Sequence, residues 1–187
     1  AACSTSAAVM DLPAGQTQLV SPASAPLSVL LGVGIQNYTC SSTTLTYATI
    51  GAVASLSDIS CLIGTSEFAT VQTTAYTGWS AAAAGTSAAS FGSKFGPVLG
   101  SHYFVTSPSG TGISPKWDFT SAFVIGAKVG DIPAPTSPAA NVDWLALNNI
   151  EGTLANQIFR IDTVNGQPPA SCVAGSDPIS VKYYYLY

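Results

Sequence analysis

No stretch of this chain holds an apolar repeat of 3.6 residues for long. Its apolar residues come in short runs broken by Gly, Pro, Ser and Asn. Runs of this kind lie at 26–34 (PLSVLLGVG), 44–56 (TLTYATIGAVASL), 100–105 (GSHYFV), 117–119 (WDF), 157–163 (QIFRIDT) and 179–187 (ISVKYYYLY). They are rich in β-branched and aromatic residues and bounded by turn formers, so each predicts a strand. In the last run Val181, Tyr183 and Tyr185 alternate with Lys182, Tyr184 and Leu186, which gives the strand two distinct faces. Segments 68–76 and 142–148 fit a strand or a short helix equally well. Two segments read as long loops: 76–96, which carries Trp79, Phe91 and Phe95, and 131–141, stiffened by three prolines. The expected fold is all-β, a disulfide-stapled sandwich or barrel with long loops and at most short helices.

At 187 residues the chain suits one domain over 1–187, large enough for a real core. Only 7% of it is charged, and Lys94, Lys116, Lys128, Arg160 and Lys182 stand singly. Without a basic cluster there is no electrostatic footprint for nucleic acid or anionic lipid. The longest apolar candidate, 27–35, is far short of a spanning helix, so no membrane partner is expected. The surface must be built from Ser, Thr, Gly, Asn and Gln, as suits a secreted protein. The small-residue start Ala1-Ala2-Cys3 reads as the product of signal-peptide removal.

Cys3, Cys40, Cys61 and Cys172 form none of the short pairs used by metal sites. Their even count and wide spacing predict disulfides in an oxidising compartment. Of the three possible pairings the preferred one is Cys40–Cys61, closing a local loop, with Cys3–Cys172 tying the N-terminal segment down. Asn37-Tyr38-Thr39 is the sole glycosylation sequon, and Cys40 directly after it makes Asn37 a doubtful acceptor.

The stretch GVGIQN at 32–37 invites comparison with a dinucleotide-binding fingerprint. That motif needs a third glycine and a following helix to aim at phosphate. Here the third position is Asn37 and a hydroxyl-rich, β-branched run follows, so a dehydrogenase is not expected. Gly32 and Gly34 instead predict a strand that bends or is approached closely. Catalysis has little to draw on elsewhere. Any Ser-His-Asp or Cys-His site must use His102, the only histidine, which sits in a strand-like run and reads as a core residue. No metal is expected from one His and nine dispersed acids. A carboxylate pair drawn from Asp118, Asp131, Asp143 and Glu151 is conceivable, but sequence cannot bring them together. No organic cofactor is implied.

The elements GVGIQNYTC (32–40), GAVASLSDISCL (51–62), LGSHYF (99–104), VDWLAL (142–147) and IFRIDTVNGQPPASC (158–172), followed by the aromatic C-terminal strand, resemble in order the DUF3455 family of secreted fungal proteins, often mislabelled malate dehydrogenase. The resemblance implies fungal secretion and a β-rich fold. Family members commonly carry two histidines before the Tyr-Phe, and here the first is Ser101.

The leading functional expectation is a non-catalytic secreted binding protein. In a plant-associated fungus it would be an effector inhibiting an extracellular host hydrolase such as a papain-like cysteine protease. Trp79, Phe91, Phe95, Ile132, Pro133 and Pro135 on the two loops would supply the anchors. One alternative is a cell-wall carbohydrate-binding protein stacking sugars on Trp79, Trp117, Trp144 or the tyrosine-rich end. The other is a weak hydrolase using His102.

Overall fold

The structure is a computed structural model that describes residues 3–187. Ala1 and Ala2, read above as a processed start, lie outside the described residues. Eight antiparallel strands run β1 Leu30–Cys40, β2 Tyr47–Asp58, β3 Val98–Thr106, β4 Ile113–Phe119, β5 Phe123–Ile132, β6 Trp144–Gly152, β7 Gln157–Asn165 and β8 Ile179–Leu186. Each pairs with its sequence neighbour and β8 returns to β1, closing an up-and-down barrel. The all-β expectation therefore resolves to a barrel. Closure removes the sheet edges that a chain so poor in charge would otherwise expose.

The period of two separates an inner from an outer set of side chains. Along one cross-strand row Tyr183 faces Gly34, Gly34 faces Ala54, Ala54 faces His102 and His102 faces Trp117. Small residues on β1 and β2 thus leave room for large rings from β3, β4 and β8. Leu30, Leu56, Trp117, Val124, Tyr183 and Tyr185 belong to this inner core. The opposite face of β1, Leu31 and Val33, is buried as well. That double burial is why residues 30–35 read as a nearly continuous apolar run.

The covering elements are α1 Val71–Ser80 and α2 Ala88–Gly92. Segment 76–96 is therefore not the long loop that its small residues suggested. Val71, Ala75 and Trp79 recur every four residues and form the buried stripe of α1 against the outer face of β1 and β8. Ser87 caps α2, its hydroxyl accepting from the Ser90 N–H at 3.1 Å. Residues 3–28 form a strap outside the barrel. Leu19 of the strap is buried with Ile132, Ala134, Trp144 and Ala146 on the outer face of β5 and β6.

Cys3 bonds to Cys61 and Cys40 to Cys172, which corrects the expected pairing. The reason lies in the β1–β2 hairpin. Leu30 pairs with Asp58 at one end and Cys40 with Tyr47 at the other, so Cys40 and Cys61 belong to opposite ends of the hairpin. Eleven strand residues at about 3.3 Å each hold them roughly 30 Å apart, beyond any disulfide. Cys172 instead donates its backbone N–H to Leu45 O beside the hairpin turn. The Cys40–Cys172 bond ties the turn down, and Cys3–Cys61 ties the strap to the other end.

Candidate functional site

The anchors expected on the two loops do not form a surface. Trp79 and Phe91 are buried, with ring centroids 5.6 Å apart, and Phe95 is half-buried against Phe91 at 5.7 Å. The Trp79 indole N–H donates to Gly34 O at 3.4 Å. The ammonium of Lys182 lies 4.7 Å from the Trp79 ring and donates to its carbonyl at 2.8 Å. Ile132 is buried at the end of β5, whereas Pro133 and Pro135 are exposed. Trp117 and Trp144 are buried too, so no tryptophan offers an open face to a sugar. Asn37 lies within the β1 ladder, half-buried, and its Oδ1 accepts from the Ser180 hydroxyl at 2.7 Å.

His102 is inside the barrel, stacked on Trp117 with centroids 4.7 Å apart. Its Nδ1 lies 3.0 Å from Lys116 O. A carbonyl can only accept, so Nδ1 carries the proton. Burial pushes the His102 pKa down to about 3, with the Arg160 charge acting the same way and the Lys116 hydrogen bond opposing. At neutral pH it is an uncharged core ring.

The carboxylates considered for glycoside hydrolysis are partly brought together. Burial raises the pKa of Asp143, and the neighbouring Asp131 adds to that, while the charges of Arg160 and Lys128 oppose it. Asp131 is itself paired with Lys128. Neither acid borders the two clefts described below. Asp118 is bound to Lys116 at 2.8 Å and accepts from the Tyr103 hydroxyl at 2.5 Å. Asp118 and Asp131 are thus engaged in ion pairs, and none of the four acids, Glu151 included, borders either cleft.

The concave site lies where the strap crosses the barrel end. A cleft of about 710 Å³ opens there, within the range of ligand pockets. Trp117, Phe119, Val124, Ile158 and Tyr187 contribute from the barrel end, and Phe159, Ile161 and Phe68 from the side. The strap supplies the far wall through 6–10 and 21–29. The strap is held by Cys3–Cys61, by the Thr5 hydroxyl donating to Pro26 O at 2.5 Å, and by Gln18 Oε1 accepting from the Asp131 N–H at 3.2 Å. Burial lifts the Tyr187 phenol to about 12. The Trp117 indole N–H sits close enough to that hydroxyl to lower its pKa, yet makes no hydrogen bond of normal geometry.

A smaller cleft of about 390 Å³ lies among the strap, α1 and the barrel, bordered by Asp11, Gln72, Thr73, Trp144 and Thr163. Asp162 borders both clefts. It sits where the β7–β8 register slips between Ile161 and Val164, in the left-handed region at φ 48°. Bulges of this kind re-aim side chains and recur beside functional sites. Sequence reasoning missed Asp162. The available signal was an acid interrupting the apolar run Ile158-Phe159-Arg160-Ile161-Asp162.

Fold and site together define a closed, disulfide-stapled β-barrel with a strap-walled cleft at one end. The sequence profile of the family described as "Protein of unknown function (DUF3455)" matches residues 21–187, and the chain belongs to that family. No curated protein and no solved structure matches it. No helix among the described residues is long and apolar enough to cross a membrane.

Proposed function

We propose that this chain is a non-catalytic binding protein of the extracellular space, whose strap-walled cleft takes a small molecule with a mostly apolar body. The observation that carries this reading is the cleft itself: about 710 Å³, walled by aromatic and aliphatic side chains at the end of a closed barrel. The burial of His102 and the pairing of Asp118 and Asp131 support binding over turnover. The two disulfides suit an oxidising compartment.

Titration with the neutral fluorophore N-phenyl-1-naphthylamine tests this. Saturable enhancement at one site, abolished by Ala155→Trp in the cleft wall, is the expected result. Non-saturable enhancement, the same in both proteins, would overturn it.

A second reading keeps the protein as an effector that inhibits an extracellular host hydrolase, with a papain-like cysteine protease the first target. It rests on Pro133 and Pro135, which are exposed on the braced segment after β5. Saturable loss of papain activity, relieved by Pro133→Ser with Pro135→Ser, supports it. Undiminished activity at micromolar protein removes that target.

A further inference from the structure

We propose that the ligand is an organic cation, an ammonium head on an apolar ring-bearing body, and that Asp162 is the residue that selects it. The inference rests on the cleft reading above.

Among the described residues that border the larger cleft, Asp162 alone carries an ionised side chain at neutral pH. No lysine, arginine, histidine or glutamate joins it there. Among the described residues its carboxylate makes no ion pair and accepts no hydrogen bond; the two salt bridges are Lys116–Asp118 and Lys128–Asp131. It is half-buried, and burial raises its pKa, with the charge of Asp11 adding to the effect. A half-buried carboxylate without a counter-ion is costly to keep, and the left-handed backbone beneath it adds strain.

The smaller cleft on the other side of Asp162 presents acceptors. Asp11 borders it, and so does Gln72, whose Oε1 is buried and receives no hydrogen bond. Two carboxylates and an unsatisfied amide oxygen are acceptors that an ammonium with its several N–H donors satisfies. The half-buried rings of Phe68, Phe159 and Tyr187 border the adjoining cleft. They would receive the body of the ligand and add ring-face attraction for a cation. An anionic ligand would meet Asp162 and Asp11 without one positive group to offset them.

The test uses three probes with the same ring system, 1-naphthylmethylammonium, 1-naphthalenemethanol and 1-naphthoate, titrated calorimetrically into the full chain at pH 7. The ammonium should bind roughly 10-fold or more tighter than the alcohol, and the carboxylate should not bind. Asp162→Asn should erase that preference and leave the alcohol unchanged. Asn adopts left-handed φ readily, so this variant keeps the bulge. Asp11→Asn should weaken the ammonium by a smaller factor. Equal affinity for ammonium and alcohol, or an unchanged preference in Asp162→Asn, would overturn the inference while the cleft reading stands. Displacement of the ammonium by millimolar Ca²⁺ would assign the carboxylates to a metal and overturn it too. If none of the three probes binds, the cleft reading fails with it.

Discussion

A Cβ placed on Gly32 would lie 1.9 Å from a ring carbon of Tyr185, its partner across the β1–β8 ladder. Tyr185 is fully buried, so its ring cannot swing aside. The two residues are one packing unit: β1 gives up a side chain so that β8 can put an aromatic ring at the barrel centre. Gly32→Ala should therefore destabilise by about 2–3 kcal/mol or more, the range of a core overpacked by one methyl. Adding Tyr185→Leu should recover part of that loss, because the shorter side chain frees the space. Chemical denaturation of the four proteins of the cycle measures it. Additive losses would show that the two residues do not share the space.

Tyr184 lies on the other face of β8, with its ring 6.2 Å from that of Tyr76. Its hydroxyl is buried without a hydrogen-bond partner, and burial alone raises its pKa. Tyr184→Phe removes a desolvated group and keeps the ring. Stability should rise by about 1 kcal/mol. A loss of similar size would mean that the hydroxyl is hydrogen-bonded in solution.

His102 makes stability depend on pH with a definite sign. Its folded pKa, about 3, lies below the ordinary 6.5, so below pH 6.5 the unfolded chain binds a proton that the folded barrel refuses. The contribution is complete above pH 6.5 and is lost as pH falls from there towards 3. The slope approaches about 1.4 kcal/mol per pH unit. Asp143 and Asp162 have raised pKa values and act in the opposite sense in the acid range. The quantity to measure is thus the difference between wild type and His102→Gln. It should change across that window and be flat above it.

The two disulfides should separate in both reactivity and consequence. Cys3 and Cys61 are exposed, whereas Cys40 and Cys172 are half-buried. Mild reduction of the native protein should open Cys3–Cys61 first, as followed by alkylation and peptide mapping. Cys3→Ala with Cys61→Ala frees the strap that walls the cleft and should abolish binding of N-phenyl-1-naphthylamine with the far-ultraviolet spectrum intact. Cys40→Ala with Cys172→Ala opens a loop spanning 132 positions and should cost about 2–5 kcal/mol. Retained probe binding after loss of Cys3–Cys61 would remove the strap from the site.

Strand content, the two faces of β8 and the close approach to Gly32 and Gly34 were legible because each rests on a local pattern. The disulfide pairing was not, since it depends on which end of the hairpin each cysteine reaches. The helix α1 was only half legible, because 68–76 fitted a strand or a short helix equally well and 76–96 read as a loop. Thr73, Thr74 and Thr77 lower its intrinsic propensity, and docking of the Val71, Ala75 and Trp79 stripe on the barrel decides the outcome. Once helical, α1 carries Trp79 inward, and the surface imagined on 76–96 disappears. The cleft joins the strap to residues more than a hundred positions away, a juxtaposition that no periodicity announces.

Asp162 offers the sharpest conflict between stability and binding. With a folded pKa raised by burial and by Asp11, its contribution to stability is present at low pH and is lost as pH rises through that value. At pH 7 it is an uncompensated carboxylate in a half-buried place. Asp162→Asn should therefore melt at a higher temperature than wild type at pH 7, and the advantage should shrink as pH falls towards the ordinary carboxylate range. Melting curves of both proteins between pH 7 and pH 3 decide the matter. A lower melting temperature for Asp162→Asn at pH 7 would mean that the carboxylate has a counter-ion inside the folded chain, and no cationic ligand would be needed to explain it.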